Sequence, residues 1–340
     1  MRRAAAVAFV TCVLGWPLHA GTVYVKRDAT GTGDGSSWAN AFTNLQPAIE
    51  AAAAAGGGQV WVASGVYKPD SRPNGGDEAD SRTVHFSLRN GVAVYGGFPA
   101  DAADGRADCD ELADADPKTN RVVLSGDIGE ADIDTDGDHV PDEPGGDSGD
   151  NAYHVFFHSQ DIRLQRDAAL TGVCITAGRA TGTAYDHGGG GGMLNDTGAS
   201  PMLVNCSFIR NYAFARGGGM ANVSSSPTVS GCLFEWNRTA CEGGAVHNGS
   251  ASPTITGCVF RGNEADEGGG LHCSGWSYPP IRNCVFSGNL ATDGGGSYNG
   301  GGGFVFANCV FQGNIATDRG GGDVQLDRVG ELRLAGELGH

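Results

Sequence analysis

Apolar residues in the second half of the chain come in short bursts separated by polar corners, and the bursts keep a fixed interval. Leu203, Val229, Ile255, Ile281 and Phe306 are each followed by a cysteine, a phenylalanine and then an asparagine. The pattern Cys-x-Phe-x-x-Asn stands at Cys206/Phe208/Asn211, Cys232/Phe234/Asn237, Cys258/Phe260/Asn263, Cys284/Phe286/Asn289 and Cys309/Phe311/Asn314, in three steps of 26 residues and a last one of 25. A period this long, held by single residue types, marks a stacked repeat in which each copy buries its apolar face against its neighbours.

The polar residues place the corners. Pro201, Pro227, Pro253 and Pro279 fall 26 apart, and in a stack without free edges a residue lacking its N–H belongs in a turn. Glycine runs at 217–219, 243–244, 268–270, 294–296 and 320–322 mark a second turn, where a positive φ costs glycine little. The asparagines mark a third. Three turns and three short strands per unit predict an all-β chain, a right-handed parallel β-helix solenoid of about 26 residues per coil. Phe on Phe and Asn on Asn then form columns through the stack. Leucine-rich repeats need more leucine per unit, and calcium-binding nonapeptide repeats need a spacing that is absent.

Upstream the repeat blurs. Val173 and Ile175 take the places of Cys and Phe, and Gly178 that of Asn. Strand-like pieces precede them at Thr22–Val25, Gln59–Ala63, Thr83–Leu88, Gly91–Tyr95, Arg121–Ser125 and Tyr153–Phe157. Trp38, Phe42, Leu45, Ile49 and Ala53 recur at helical spacing, and Pro47 is tolerated only in a first turn. The spacing therefore predicts an amphipathic N-terminal capping helix starting near Asn44.

Arg2 and Arg3, an apolar run from Ala4 to Leu14 and a short segment ending at Ala20 read as a secretory signal peptide over 1–20. The expected organisation is then an N-terminal cap with the first coils over 21–120, a β-helix over 121–326 with an acidic insertion near 127–150, and a non-repeat tail over 327–340. No later apolar run approaches the roughly 20 residues of a membrane helix. A secreted or cell-surface monomer is expected. Net charge is −17, and residues 101–150 hold 17 Asp/Glu against 3 Lys/Arg. Such a balance argues against nucleic acid as a partner and for local attraction of cations.

Ten cysteines in an exported chain ordinarily suggest disulfides. Five of them share one repeat position, where in-register coils would set parallel side chains about 4.8 Å apart, so a buried thiol column is favoured over bridges. Cys241 and Cys273 lie outside that column on adjacent coils and are the one candidate bridge.

Several stretches carry a family resemblance. Gly243-Gly244-Ala245-Val246, the five Phe-x-x-Asn copies, Asp34-Gly35-Ser36-Ser37-Trp38, Val60-Trp61-Val62-Ala63-Ser64-Gly65-Val66-Tyr67 and Gly91-Val92-Ala93-Val94-Tyr95-Gly96-Gly97-Phe98 resemble bacterial right-handed β-helix surface proteins. These belong to the pectin-lyase-like superfamily and include those with polymorphic outer membrane protein repeats. The resemblance implies an exported or outer-membrane location and no particular reaction. Members usually end in a barrel or anchor, which Gly330–His340 does not resemble. The expectation is a chain secreted free or one that has lost its anchor.

Three groups of residues could carry chemistry. Asp132, Asp134, Asp136, Asp138 and Glu143 fit Asp-x-Asp-x-Asp-Gly-x5-Glu, in which alternate carboxylates converge on a hard cation. A calcium site and a solvated acidic insertion both remain open. Arg216, Glu242, Glu267, Asp293 and Arg319 form a corner column that could hold calcium or an acidic sugar, against a solvated turn. His247, His272 and Tyr298 form a column that could stack on sugar rings, against a purely structural one. Asp186-His187 stands in the insertion, off the repeat pattern. Glu235 with Arg261, and Arg238 with Glu264, read as surface ion pairs. Two functions follow: a non-catalytic β-helix for adhesion, display or contact with an extracellular polysaccharide or a host or neighbouring cell surface, or a calcium-dependent polysaccharide lyase or glycoside hydrolase of the pectin-lyase-like fold.

Overall fold

The computed structural model describes residues 21–129, 132–146, 149–182 and 187–319. The signal-peptide reading, the glycines 320–322, the tail over 327–340, Asp186 and the side chain of Arg319 lie outside the described residues. Among those described, no helix is long and apolar enough to cross a membrane.

The strands form four sheets of nine, eight, six and six members, and every pairing is parallel. One coil reads Met202–Val204, Ser207–Ile209, Tyr212–Ala213 and Met220–Val223, one strand from each sheet in turn. Each strand pairs with its equivalent one coil away, so Phe208 faces Phe234, which faces Phe260, Phe286 and Phe311. Ile175 faces Phe208, so the upstream coils keep the register read from sequence. The expected three strands per coil are four. The extra one, Tyr212–Ala213 and its equivalents, lies between the asparagine and glycine corners, where one small inward residue alternates with variable outward ones.

The core is a continuous cluster running from Val25 to Phe311. Its phenylalanines stack with centroids 4.8, 5.1, 4.5 and 4.7 Å apart and rings within 8° of parallel, and the coil spacing of a parallel ladder imposes that pitch. The five cysteines of the repeat are buried and free, and each thiol donates to the carbonyl two residues before it, as Cys206 does to Val204 and Cys258 to Thr256. Cys241 and Cys273 are also free, which corrects the candidate bridge. Cys273 occupies an asparagine position in the fourth sheet, where its sulfur receives the Asn248 amide.

The glycine triplet Gly268–Gly270 shows why the second corner needs that residue. Gly268 has φ +69°, while a Cβ on Gly269 or Gly270 would lie 2.5 Å from the Leu290 carbonyl or 2.4 Å from the Gly296 carbonyl of the next coil.

The helix α1 spans Leu45–Ala54, with Asn44 as its cap accepting from the Leu45 N–H. Leu45, Ala48, Ile49 and Ala52 enter the core over the first strands of the nine-stranded sheet. Trp38 and Phe42 share the helical spacing but precede the helix. Trp38 packs on the outer face with Tyr24 and Phe98 and donates to the Cys109 carbonyl. Thr83–Leu88 is not the expected strand. Asp80 caps a 3-10 turn at Ser81–Thr83, Arg82 binds the Asn151 and Arg179 carbonyls, and only Phe86 bridges to Phe156. The strand expected at Tyr153–Phe157 runs Phe156–His158. Pro280, one residue past the repeat's proline, begins a strand rather than a turn.

Candidate functional site

Two asparagine ladders frame the candidate sites. In the first, each interior member uses all four of its amide's hydrogen-bonding positions. Asn263 donates to Asn289 Oδ1 (2.9 Å) and to the Phe234 carbonyl (2.9 Å), and accepts from the Asn237 N–H (3.0 Å) and Asn237 Nδ2 (3.1 Å). The second runs from His158 through Asn195 and Asn222 to Asn248. Because buried amides are costly to leave without a partner, these ladders fix the height of the coils they run through.

The corner column and the ring column, read separately from sequence, meet in one place. Backbone bridges stack Arg216 on Glu242 and Glu242 on Glu267, and strand pairing continues to Asp293 and then Arg319. His247 pairs with His272, and His272 with Tyr298. Within each coil the acid and the ring are five residues apart, in Glu242-Gly-Gly-Ala-Val-His247 and Glu267-Gly-Gly-Gly-Leu-His272. The left-handed glycine after each acid, φ +71° at Gly243 and +69° at Gly268, turns the chain so that both side chains converge.

The resulting cluster is tight. Glu242 Oε2 lies 3.2 Å from His247 Nδ1 and 3.8 Å from His272 Nδ1, and the two Nδ1 atoms are 3.1 Å apart. The rings are within 10° of parallel, with centroids 5.1 Å apart. On the far side of His272, Nε2 is 3.2 Å from Glu267 Oε2, close but out of hydrogen-bond alignment. Both histidines are buried, whereas the carboxylate side chains are 41% and 36% exposed. The cluster therefore opens to solvent on its acidic side. Burial, then the neighbouring His272 and Arg216, hold His247 well below the ordinary imidazole range, and burial takes His272 down to about 4. Burial raises Glu242, and burial followed by the charges of Glu242, Asp293 and Asp266 raises Glu267. At neutral pH the site offers uncharged imidazole lone pairs beside carboxyl groups.

Tyr298 continues the ring column, nearly parallel to His272 at 5.6 Å. The ion pairs read from sequence form at the surface, with Arg261 Nε 2.7 Å from Glu235 Oε1 and Arg238 Nη2 3.3 Å from Glu264 Oε1.

The acidic insertion folds against the eight-stranded sheet. Val140 packs on Val123 and Cys174, Arg121 holds Asp138 at 3.0 Å, and Arg210 donates to the Pro141 carbonyl. Carboxylate oxygens of Asp134, Asp136 and Asp138 converge within 4.8 Å. Asp132 instead receives the Asn151 amide at 2.7 Å, and Glu143 is not part of the group. Burial works against ionisation of Asp134, but the N–H groups of His139 and Gly137 outweigh it and leave the carboxyl below its usual range. A cavity of about 600 Å³ lies beside this loop, lined by Arg27, Tyr67, Lys68, Asp127, Asp132 and Asp134 among others. Neither this cavity nor the exposed aromatics Trp276 (83% exposed) and Tyr278 (49%) stood out in the sequence. The first is assembled from distant segments, and the second sit in a turn off the repeat.

Residues 167–286 match the model of a protein family described as right handed beta helix region. The chain is a right-handed parallel β-helix. No curated protein and no solved structure matches it.

Proposed function

We propose that the chain is an exported, non-catalytic β-helix that presents a rigid binding surface outside the cell, free or at the cell surface, to an extracellular glycan or a neighbouring cell. The observation that carries this reading is the pair of aromatic side chains, Trp276 and Tyr278, held out of a tight turn. The turn is fixed to the stack, since Ser277 Oγ donates to the Asn248 carbonyl and accepts from the Ala251 N–H. Exposed rings on an immobile backbone suit sugar faces, which they cover at little entropic cost. Register that shifts only at Val62/Ala63 and Ala291/Asp293 among the described strand pairs favours a binding surface over a catalytic one, since an active site would interrupt a face with unlike polar groups. The calcium reading of the 132–143 loop belongs to the same proposal, with Asp134, Asp136 and Asp138 as the convergent carboxylates.

A second reading, calcium-dependent lyase or hydrolase chemistry of the pectin-lyase-like kind, is favoured by the cavity where Arg27 and Lys68 stand beside the acidic loop. One experiment separates the two. The full chain is run through gels containing pectate, alginate or glycosaminoglycan while the absorbance of unsaturated products and the release of reducing ends are followed. Binding predicts retardation without product, weakened several-fold in Trp276→Ala. Turnover, or no retardation on any glycan, contradicts the proposal.

A further inference from the structure

We propose that Glu242, His247 and His272 form a binding site for a divalent first-row transition ion of the zinc class, with Glu267 orienting His272 from behind. The donor set is the first argument. Two neutral imidazoles and one carboxylate are the three-ligand combination that holds zinc while leaving a fourth position to water, and imidazole selects this class of metal over calcium or magnesium.

Spacing is the second. With metal–ligand bonds of about 2.0–2.2 Å, ligand atoms of a tetrahedral site lie about 3.3–3.5 Å from one another. The three separations here, 3.1, 3.2 and 3.8 Å, bracket that value. Without an ion the same atoms are poorly served. Each neutral imidazole carries one N–H, so the contacts among the two Nδ1 atoms and Glu242 Oε2 cannot all be hydrogen bonds. An ion accepts a lone pair from all three.

The other side of the ring is also suited to a metal. A metal-binding histidine characteristically donates its remaining N–H to a carboxylate, which fixes the tautomer and raises its basicity. His272 Nε2 is buried, lacks an aligned partner and has Glu267 Oε2 at 3.2 Å, so a small rotation completes that relay. The scaffold supplies rigidity, because both histidines sit on strands paired to each other, and Glu242 at the solvent edge provides an entry path.

The test uses the full chain, stripped with chelator, and zinc chloride in titration calorimetry, with cobalt(II) absorption as a second readout. One equivalent of zinc is expected, with cobalt spectra of a four-coordinate nitrogen and oxygen site lacking a thiolate charge-transfer band. Glu242→Gln, at a half-exposed position, should weaken zinc at least 10-fold while the circular dichroism is unchanged. Glu267→Gln should weaken it 10–100-fold, the usual effect of losing such a supporting carboxylate. Cys241→Ser and Asp134→Asn should bind as the parent does. The inference is overturned if the parent chain takes up no zinc at 100-micromolar levels (about a hundredfold excess over a 1 μM site), if Glu242→Gln binds undiminished, or if Asp134→Asn or Cys241→Ser abolishes binding. Glycan retardation is scored on the same samples without metal, so failure here and failure of the surface-binding proposal are read separately.

Discussion

Replacing Asn263 by alanine removes four hydrogen bonds from a residue with no solvent exposure. The partners do not suffer equally. Asn289 Oδ1 keeps the Asn263 N–H, and Asn237 Nδ2 keeps the Phe208 carbonyl. The Asn237 N–H loses the acceptor it has in the ladder. Four net bonds at about 1 kcal/mol each, with an added penalty of about 1–3 kcal/mol for the orphaned buried donor, give an expected loss of about 5–7 kcal/mol. Asn263→Asp separates hydrogen bonding from packing. It preserves shape but turns two donors into acceptors facing the Phe234 carbonyl and Asn289 Oδ1, so it should cost at least as much. Urea unfolding followed by far-ultraviolet circular dichroism measures both. A loss under about 1 kcal/mol for either variant refutes the ladder as a stabilising element, as that is the range of ordinary surface substitutions.

Other outcomes follow from the same geometry. His158 is fully buried, with Nδ1 on Asn195 Oδ1 and Nε2 accepting from the Leu88 N–H, and burial takes it down to about 4. Its folded value lies below the unfolded one, so its contribution is complete above about pH 6.5 and is lost as pH falls towards 4. That amounts to about 3 kcal/mol, and unfolding measured at several pH values should show a shallower acid slope in His158→Gln than in the parent. An equal slope contradicts the assignment. Burial raises the Cys232 thiol well above its ordinary range and pushes Cys273 up to about 12; among the described cysteines, Cys241 alone is half-buried rather than buried. A thiol reagent should therefore label Cys241 first in the folded chain, and all nine described cysteines after unfolding without reductant; fewer would reveal bridges. Gly269→Ala drives a Cβ to 2.5 Å from the Leu290 carbonyl and should cost about 1–3 kcal/mol by overpacking, detectable in the same urea titration, whereas no change means that the coils are less closely apposed.

Vertical neighbours were legible in the sequence, and neighbours around a corner were not. The steps of 26 and 25 residues by themselves put Phe234 under Phe260 and Glu242 under Glu267, because identical residue types mark identical heights. The same period says nothing about where a chain turns between Glu242 and His247. That convergence depends on the left-handed Gly243, and the repeated Glu-Gly-Gly-x-x-His was its available signal. The fourth strand was missed because only a small residue such as Ala213 points inward there. The helix start was legible because Asn44 and Pro47 are specific to that position. Trp38 shares its periodicity for a different reason, since it covers the outside of the first coils, while Phe42 precedes the helix and packs against the core beside Val25. Of the acidic motif, alternate spacing brought Asp134, Asp136 and Asp138 together, whereas Asp132 found the Asn151 amide instead.

The column of coils is what every functional statement rests on, since it alone brings residues 25 or 26 positions apart into contact. A crystal structure of the chain tests it most directly. Phe208, Phe234, Phe260, Phe286 and Phe311 are expected in one buried file at centroid steps of 4.5–5.1 Å, with His247 and His272 stacked near parallel and Glu242 beside them. Phenylalanines out of file, or a one-residue slip that turns them to solvent, would contradict it.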